Sequence, residues 1–212
     1  MGQTFRRRVD QLSPGFVLAP ERYDPRRLVA QNGSTRIGDL LGVAREAWRP
    51  STDGRPVLVL DTSHAFEGAV RLRHPPIDPG EVGSAKRSLE PGDVIVSRLR
   101  PYLRQVALVD AALFSRAPGG NDVACSTEFY VLRGAGAAAV VPWLLGSTVQ
   151  AALAASQEGG HHPRVSLEAV LDLPVPAGLL ERWTEAAQAV QERIDALREA
   201  GDGVEALVRE DW

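Results

Sequence analysis

A single cysteine, Cys125, stands in the 212 residues. That excludes an internal disulfide framework and any zinc site built on several thiolates. Lysine is equally scarce: Lys86 is the one lysine, so nearly all the positive charge is arginine. Arginine suits bidentate contacts with phosphate or guanine edges, although a GC-rich coding sequence yields the same bias without any function. No apolar run approaches the roughly 18 residues that suggest a membrane span. The opening MGQTFRRRVDQL has no apolar stretch behind its arginines, so a secretory signal is not expected. Arg6 stands where a myristoylation pattern needs Ser or Thr. The expectation is a cytoplasmic protein.

The motifs of catalysis are missing as well. There is no P-loop, no G-x-G-x-x-G, no G-x-S-x-G elbow and no N-P-P-[YF]-like methyltransferase motif. His161 and His162 form an adjacent pair, but neighbours in sequence do not share a helical face, and no third ligand accompanies them at metal-like spacing. Ser126, Asp122 and a histidine make a triad on paper, without an elbow to support it. No nucleophile, metal or cofactor site is assembled, so the chain reads as a non-enzyme with no cofactor.

What is present is an uneven charge distribution over a chain of net charge −3. Residues 177–212 carry nine acids and four arginines; subtracted from the chain's 27 acids and 24 bases, these leave 18 acids and 20 bases before them. The body is mildly basic and the tail acidic. Residues 1–34 read as irregular, broken by Pro14, Pro20 and Pro25. A short amphipathic stretch follows, in which Ile37, Leu40, Leu41 and Val43 face a core. Strands are predicted at 56–63, 69–73, 93–99 and 105–111. Val123–Arg133 alternates, placing Val123, Cys125, Thr127, Phe129 and Val131 on one face. From Val140 the pattern becomes helical, with Pro142 in the first turn, and continues until Gly159-Gly160. Ser166 is a natural N-cap for a short helix, and residues 173–176 close the domain as a strand-like segment.

The tail from Leu179 is the cleanest periodic signal. Leu180, Trp183, Ala187, Val190, Ile194 and Leu197 fall at spacings of 3 and 4, a seam of two apolar positions in seven. Such a seam predicts a facing helix, either a second copy's or a partner's. The alternative is a helix folded back on its own domain, although a fully helical tail would be ~45 Å long. Gly201-Asp202-Gly203 predicts a bend or break.

The segment from Leu89 to Arg133 then carries a resemblance. It holds Gly92-Asp93 followed by Val94-Ile95-Val96-Ser97-Arg98, a second strand around Val106-Ala107-Leu108, and Cys125-Ser126-Thr127-Glu128-Phe129-Tyr130-Val131-Leu132-Arg133. Trp143-Leu144-Leu145-Gly146-Ser147 and the run from Pro163 to Pro176 follow in order. In this order and spacing the chain resembles the target-recognition domain of a type I restriction–modification specificity subunit, in a single-domain form. The resemblance is firm over about 89–200 and looser over 36–88.

That resemblance implies an α+β fold: a β-rich, mixed or antiparallel recognition domain over 35–176, followed by a long coiled-coil-type helix in 177–212. It implies duplex DNA as a partner, with Lys86, Arg87, Ser97, Arg98, Arg100, Arg104, His161, His162 and Arg164 on the DNA side. It also implies a DNA methyltransferase subunit as partner, with a restriction or translocase subunit beyond it. Whole subunits of the family carry two such domains joined by two antiparallel helices, so two copies of this chain, paired through the C-terminal seam, would restore that arrangement. The expected function is recognition of a DNA sequence for an adenine methyltransferase in an anti-phage system. The alternative is a repurposed domain acting as a scaffold or protein-interaction subunit without base reading.

Overall fold

The computed structural model describes residues 6, 8–11, 23–24, 26–28, 33–72, 74–158 and 163–209. The layer at the centre is a four-stranded antiparallel sheet in the order β1 (Gly42–Ala44), β9 (Phe129–Arg133), β6 (Val94–Ser97), β7 (Val106–Leu108). Of its strands, β6 and β7 are buried on both faces, which is why they read as continuous apolar runs. Period-two geometry splits the sheet's side chains. Val94, Val96, Val106, Leu108 and Leu132 enter one core layer, and Ile95, Ala107, Phe129 and Val131 enter the other.

The second of these layers is closed by a three-stranded sheet, β2 (Val57–Leu60), β8 (Asp122–Ser126) and β5 (Lys86–Ser88). Here β2 and β8 run parallel while β5 and β8 run antiparallel, so the architecture is mixed and α+β. A small hairpin, β3 (Ala65–Phe66) and β4 (Ala69–Val70), leans on β7. Its turn needs positive φ at Glu67 and Gly68, and a Cβ on Gly68 would come within 3.1 Å of the Val141 side chain.

Helices cover the other face of the central sheet: α1 (Ile37–Leu40), α2 (Val140–Leu144), α3 (Ser147–Ala155) and α4 (Leu167–Leu171). Of the predicted core face around α1, Ile37 and Leu41 are buried and Val43 is half-buried, whereas Leu40 is exposed. Ser166 caps α4 by accepting the Ala169 N–H at 3.2 Å. A hairpin, β10 (Gln157–Glu158) and β11 (Arg164–Val165), follows α3. The Val175 N–H donates to the Thr35 carbonyl at 2.8 Å, which brings the two ends of the expected domain together. Among the described residues no single helix is long and apolar enough to cross a membrane.

Three sequence expectations are corrected. The alternation of Val123–Arg133 is not one strand: Thr127 is exposed and the chain turns at Thr127 and Glu128. Val123 and Cys125 meet Phe129 and Val131 in the same core layer from two opposing sheets, so the pattern survives a chain reversal that it cannot reveal. The helix from Val140 breaks at Leu145 and Gly146, where Gly146 is extended and the two helical pieces are bent by 80°. Gly201-Asp202-Gly203 does not stop the tail: after α5 (Ala177–Glu181), α6 runs unbroken over Trp183–Arg209.

The C-terminal seam also lies elsewhere than its spacing predicts. Leu180, Trp183, Ala187 and Val190 pack against the helical core layer, and Ile194 is 5% exposed within it. The Trp183 Nε1–H donates to the Ala135 carbonyl at 3.0 Å. A two-in-seven stripe is a narrow contact line, and Ala137, Ala138 and Ala139 offer the small side chains that let a helix approach closely. The domain itself therefore supplies what a facing helix would. Leu197, 63% exposed, is the seam member left uncovered.

Candidate nucleic-acid interface

The ends of both sheets converge on one rim. Ser97 pairs with Phe129 and Lys86 with Ser126, so the starts of β5 and β9 and the ends of β6 and β8 lie together around the Thr127–Glu128 turn. The hairpin β10–β11 joins this rim: Leu99 bridges Arg164, the Val165 N–H donates to the Arg98 carbonyl at 2.9 Å, and the Tyr130 hydroxyl donates to the Val165 carbonyl at 2.9 Å.

Glu128 sits between two guanidinium groups on this rim. Arg98 Nε lies 2.7 Å and Arg164 Nη2 3.1 Å from its carboxylate oxygens. Hydrogen bonds from Arg98 first, then Arg164, hold the Glu128 carboxyl at about 2. The two arginines and one acid leave a net positive charge.

Beyond them the chain makes a short 3-10 turn, Pro101–Leu103, flanked by Arg100 and Arg104 in left-handed conformations with φ of 44° and 53°. Both arginines are exposed, and among the described residues neither enters an ion pair. The Arg104 side chain reaches the Leu145 carbonyl at 2.7 Å through Nη2. The turn carries Tyr102 and Leu103, 61% and 45% exposed.

The sequence-predicted residues thus fall into distinct situations. Arg98, Arg100, Arg104 and Arg164 gather on the rim. Lys86 lies on it too, its ammonium donating to the carbonyl and hydroxyl oxygens of Ser84. Arg87, one residue further along β5, is half-buried, and its Nε is buried without a hydrogen-bond partner among the described residues. Ser97 is buried, its hydroxyl engaged with the backbone of Leu99 at 3.2 Å. His161 and His162 lie outside the described residues. Tyr102 and Leu103 escaped the sequence reading; the signal for them is an aromatic and an aliphatic residue held between two arginines after a proline.

The groups weighed for catalysis are engaged otherwise. The Asp122 carboxylate accepts the Trp48 indole N–H at 3.1 Å, and the Ser126 hydroxyl accepts the Glu128 N–H at 3.3 Å. Burial pushes the Cys125 thiol up to about 12. Among the described residues no cluster of His, Cys, Asp and Glu could hold a metal ion.

No family model and no curated protein matches the chain. Its fold is similar to that of the HsdS subunit from Thermoanaerobacter tengcongensis, with a TM-score of 0.51 and 22% sequence identity. The match covers 82% of this chain and 46% of that one, so the chain spans less than half the length of the subunit it resembles. The likeness shows a shared fold.

Proposed function

We propose that this chain, which has the fold found in an HsdS subunit, recognises a duplex DNA sequence and directs a partner adenine methyltransferase or restriction complex to it. The observation that carries the reading is the rim where Arg98, Arg100, Arg104 and Arg164 gather at the ends of rigid strands. Guanidinium groups held there suit phosphate and base-edge contacts. The chain itself performs no chemistry on the DNA; the partner does. The partner's docking point on the C-terminal helix, which would also serve pairing of two copies, narrows to the exposed Leu197. Leu197 lines a groove of about 550 Å³ with Phe66 and Leu72.

A scaffold role without base reading is favoured by one observation: Glu128 already occupies Arg98 and Arg164. Fluorescence anisotropy of labelled duplex DNA against salt separates the two readings, with and without the methyltransferase. A DNA reader loses affinity steeply as salt rises, and Arg100→Ala weakens binding by about 1 kcal/mol or more. A chain that binds no duplex under either condition is the scaffold.

A further inference from the structure

We infer that the Pro101–Leu103 turn is a wedge whose Tyr102 and Leu103 side chains enter a groove of duplex DNA and touch base edges. The inference rests on the DNA reading above and adds the residues that discriminate sequence.

Exposure is the first observation. Tyr102 and Leu103 are adjacent, and both stand in solvent at 61% and 45% exposure. Single exposed apolar residues are ordinary, but this pair sits at the tip of a turn rather than on a strand or helix face. Strain is the second. Of the three non-glycine residues with positive φ among those described, two are Arg100 and Arg104, the residues that flank the tip. A left-handed backbone is unfavourable for arginine, and such conformations persist where the surroundings over-determine them.

The surroundings do so here. Pro101 is buried under the tip. The Arg100 N–H donates to the Pro163 carbonyl at 3.3 Å, Leu103 N–H to Arg100 at 2.8 Å and Arg104 N–H to Pro101 at 2.9 Å. The Arg104 guanidinium ties the far side to Leu145. The tip is therefore presented rigidly, so binding orders little that was free.

Charge selects the occupant. The apolar tip lies between the exposed Arg100 and Arg104, beside the Arg98–Glu128–Arg164 cluster with its excess of positive charge. Phosphates on both flanks and apolar base edges at the floor of a groove match this arrangement. A thymine methyl is the kind of group that such side chains recognise.

The test uses the full chain. Wild-type protein selects its preferred sequence from a randomised duplex pool, and affinities for that duplex and a scrambled one are then compared. Replacing both residues, Tyr102→Ala with Leu103→Ala, is expected to lower the preference about tenfold or more. Scrambled-duplex affinity and its salt slope are expected to stay within about twofold, since the cations remain. Both side chains are exposed, so folding is retained, and Tyr102→Phe keeps the preference because the ring remains. A double variant that keeps the full preference overturns the wedge, the more so when it loses methyltransferase binding instead, which would make the turn a protein contact. A wild-type chain that binds duplex without any preference overturns it too. Absence of salt-dependent duplex binding by the wild type overturns the DNA reading itself, and the wedge with it.

Discussion

Arg198, on the C-terminal helix, donates to the carboxylate of Asp110, a residue 88 positions away that follows β7 and precedes the 3-10 turn Ala111–Ser115. Asp110 is 1% exposed and the Arg198 side chain 16%. The other carboxylate oxygen of Asp110 accepts the Ala112 N–H at 3.1 Å. One buried acid thus caps a 3-10 turn of the domain and fastens the helix to it, in line with the Trp183 bond to Ala135 about four turns towards the N-terminus. This pairing, with the burial of Ile194, makes α6 part of the domain's own architecture up to Arg198.

Removing the cation strands the acid. Arg198→Met is expected to destabilise the fold by about 3 kcal/mol, because a buried carboxylate without its partner is strongly unfavourable. Asp110→Asn combined with Arg198→Met removes both charges and is expected to lose less than the two single changes together. Urea unfolding of the four proteins in the cycle measures this.

Gly136 lies under Trp183 with φ of 70°, and a Cβ there would come within 2.5 Å of the indole nitrogen. Gly136→Ala is expected to cost about 1–2 kcal/mol for the left-handed backbone alone, and to push the indole off the Ala135 carbonyl. The measurement is the midpoint of thermal unfolding alongside the tryptophan fluorescence of the native state.

Two seam positions separate folding from assembly. Ile194→Asp places a charge at a site 5% exposed and is expected to destabilise the domain by roughly 3 kcal/mol or more. Leu197→Asp, at a site 63% exposed, is expected to leave unfolding unchanged within about 0.5 kcal/mol. It is the change that weakens any contact with a second copy or the methyltransferase, read by sedimentation.

That contrast marks how far the sequence could be read. Spacing found the stripe from Leu180 to Leu197 because a helix repeats its faces whatever covers them. It could not say that Ala137, Ala138 and Ala139, more than 40 positions earlier, supply the surface. Of the central strands, β6 and β7 were legible as apolar runs, since two buried faces leave no polar alternation to confuse the reading. The reversal at Thr127 and Glu128 was not, because its two residues continue the alternation. At the rim, the arginines were legible by type. Their division into paired Arg98 and Arg164 and exposed Arg100 and Arg104 depends on where Glu128 lands.

Glu128 makes that division testable by pH. Its carboxyl is held at about 2 in the folded protein, against an ordinary 4.5. A depressed folded value means that the stabilisation is complete above 4.5 and is lost as pH falls from there through 2. The shift alone corresponds to on the order of 3 kcal/mol; solvent screening at Arg98 and Arg164, 34% and 42% exposed, reduces it to about 1–2 kcal/mol. Glu128→Gln is expected to lower stability by that amount at neutral pH and to flatten the acid limb between 4.5 and 2, as followed by urea unfolding at stepped pH. The same change removes an anion that competes with phosphate for Arg98. Scrambled-duplex affinity is therefore expected to rise in Glu128→Gln and to fall more steeply with salt, its log–log slope growing by up to about 1 per phosphate newly contacted. A variant with the expected loss of stability but unaltered DNA affinity would confine Glu128 to holding the strand ends, with Arg100 and Arg104 left as the cations that meet the backbone.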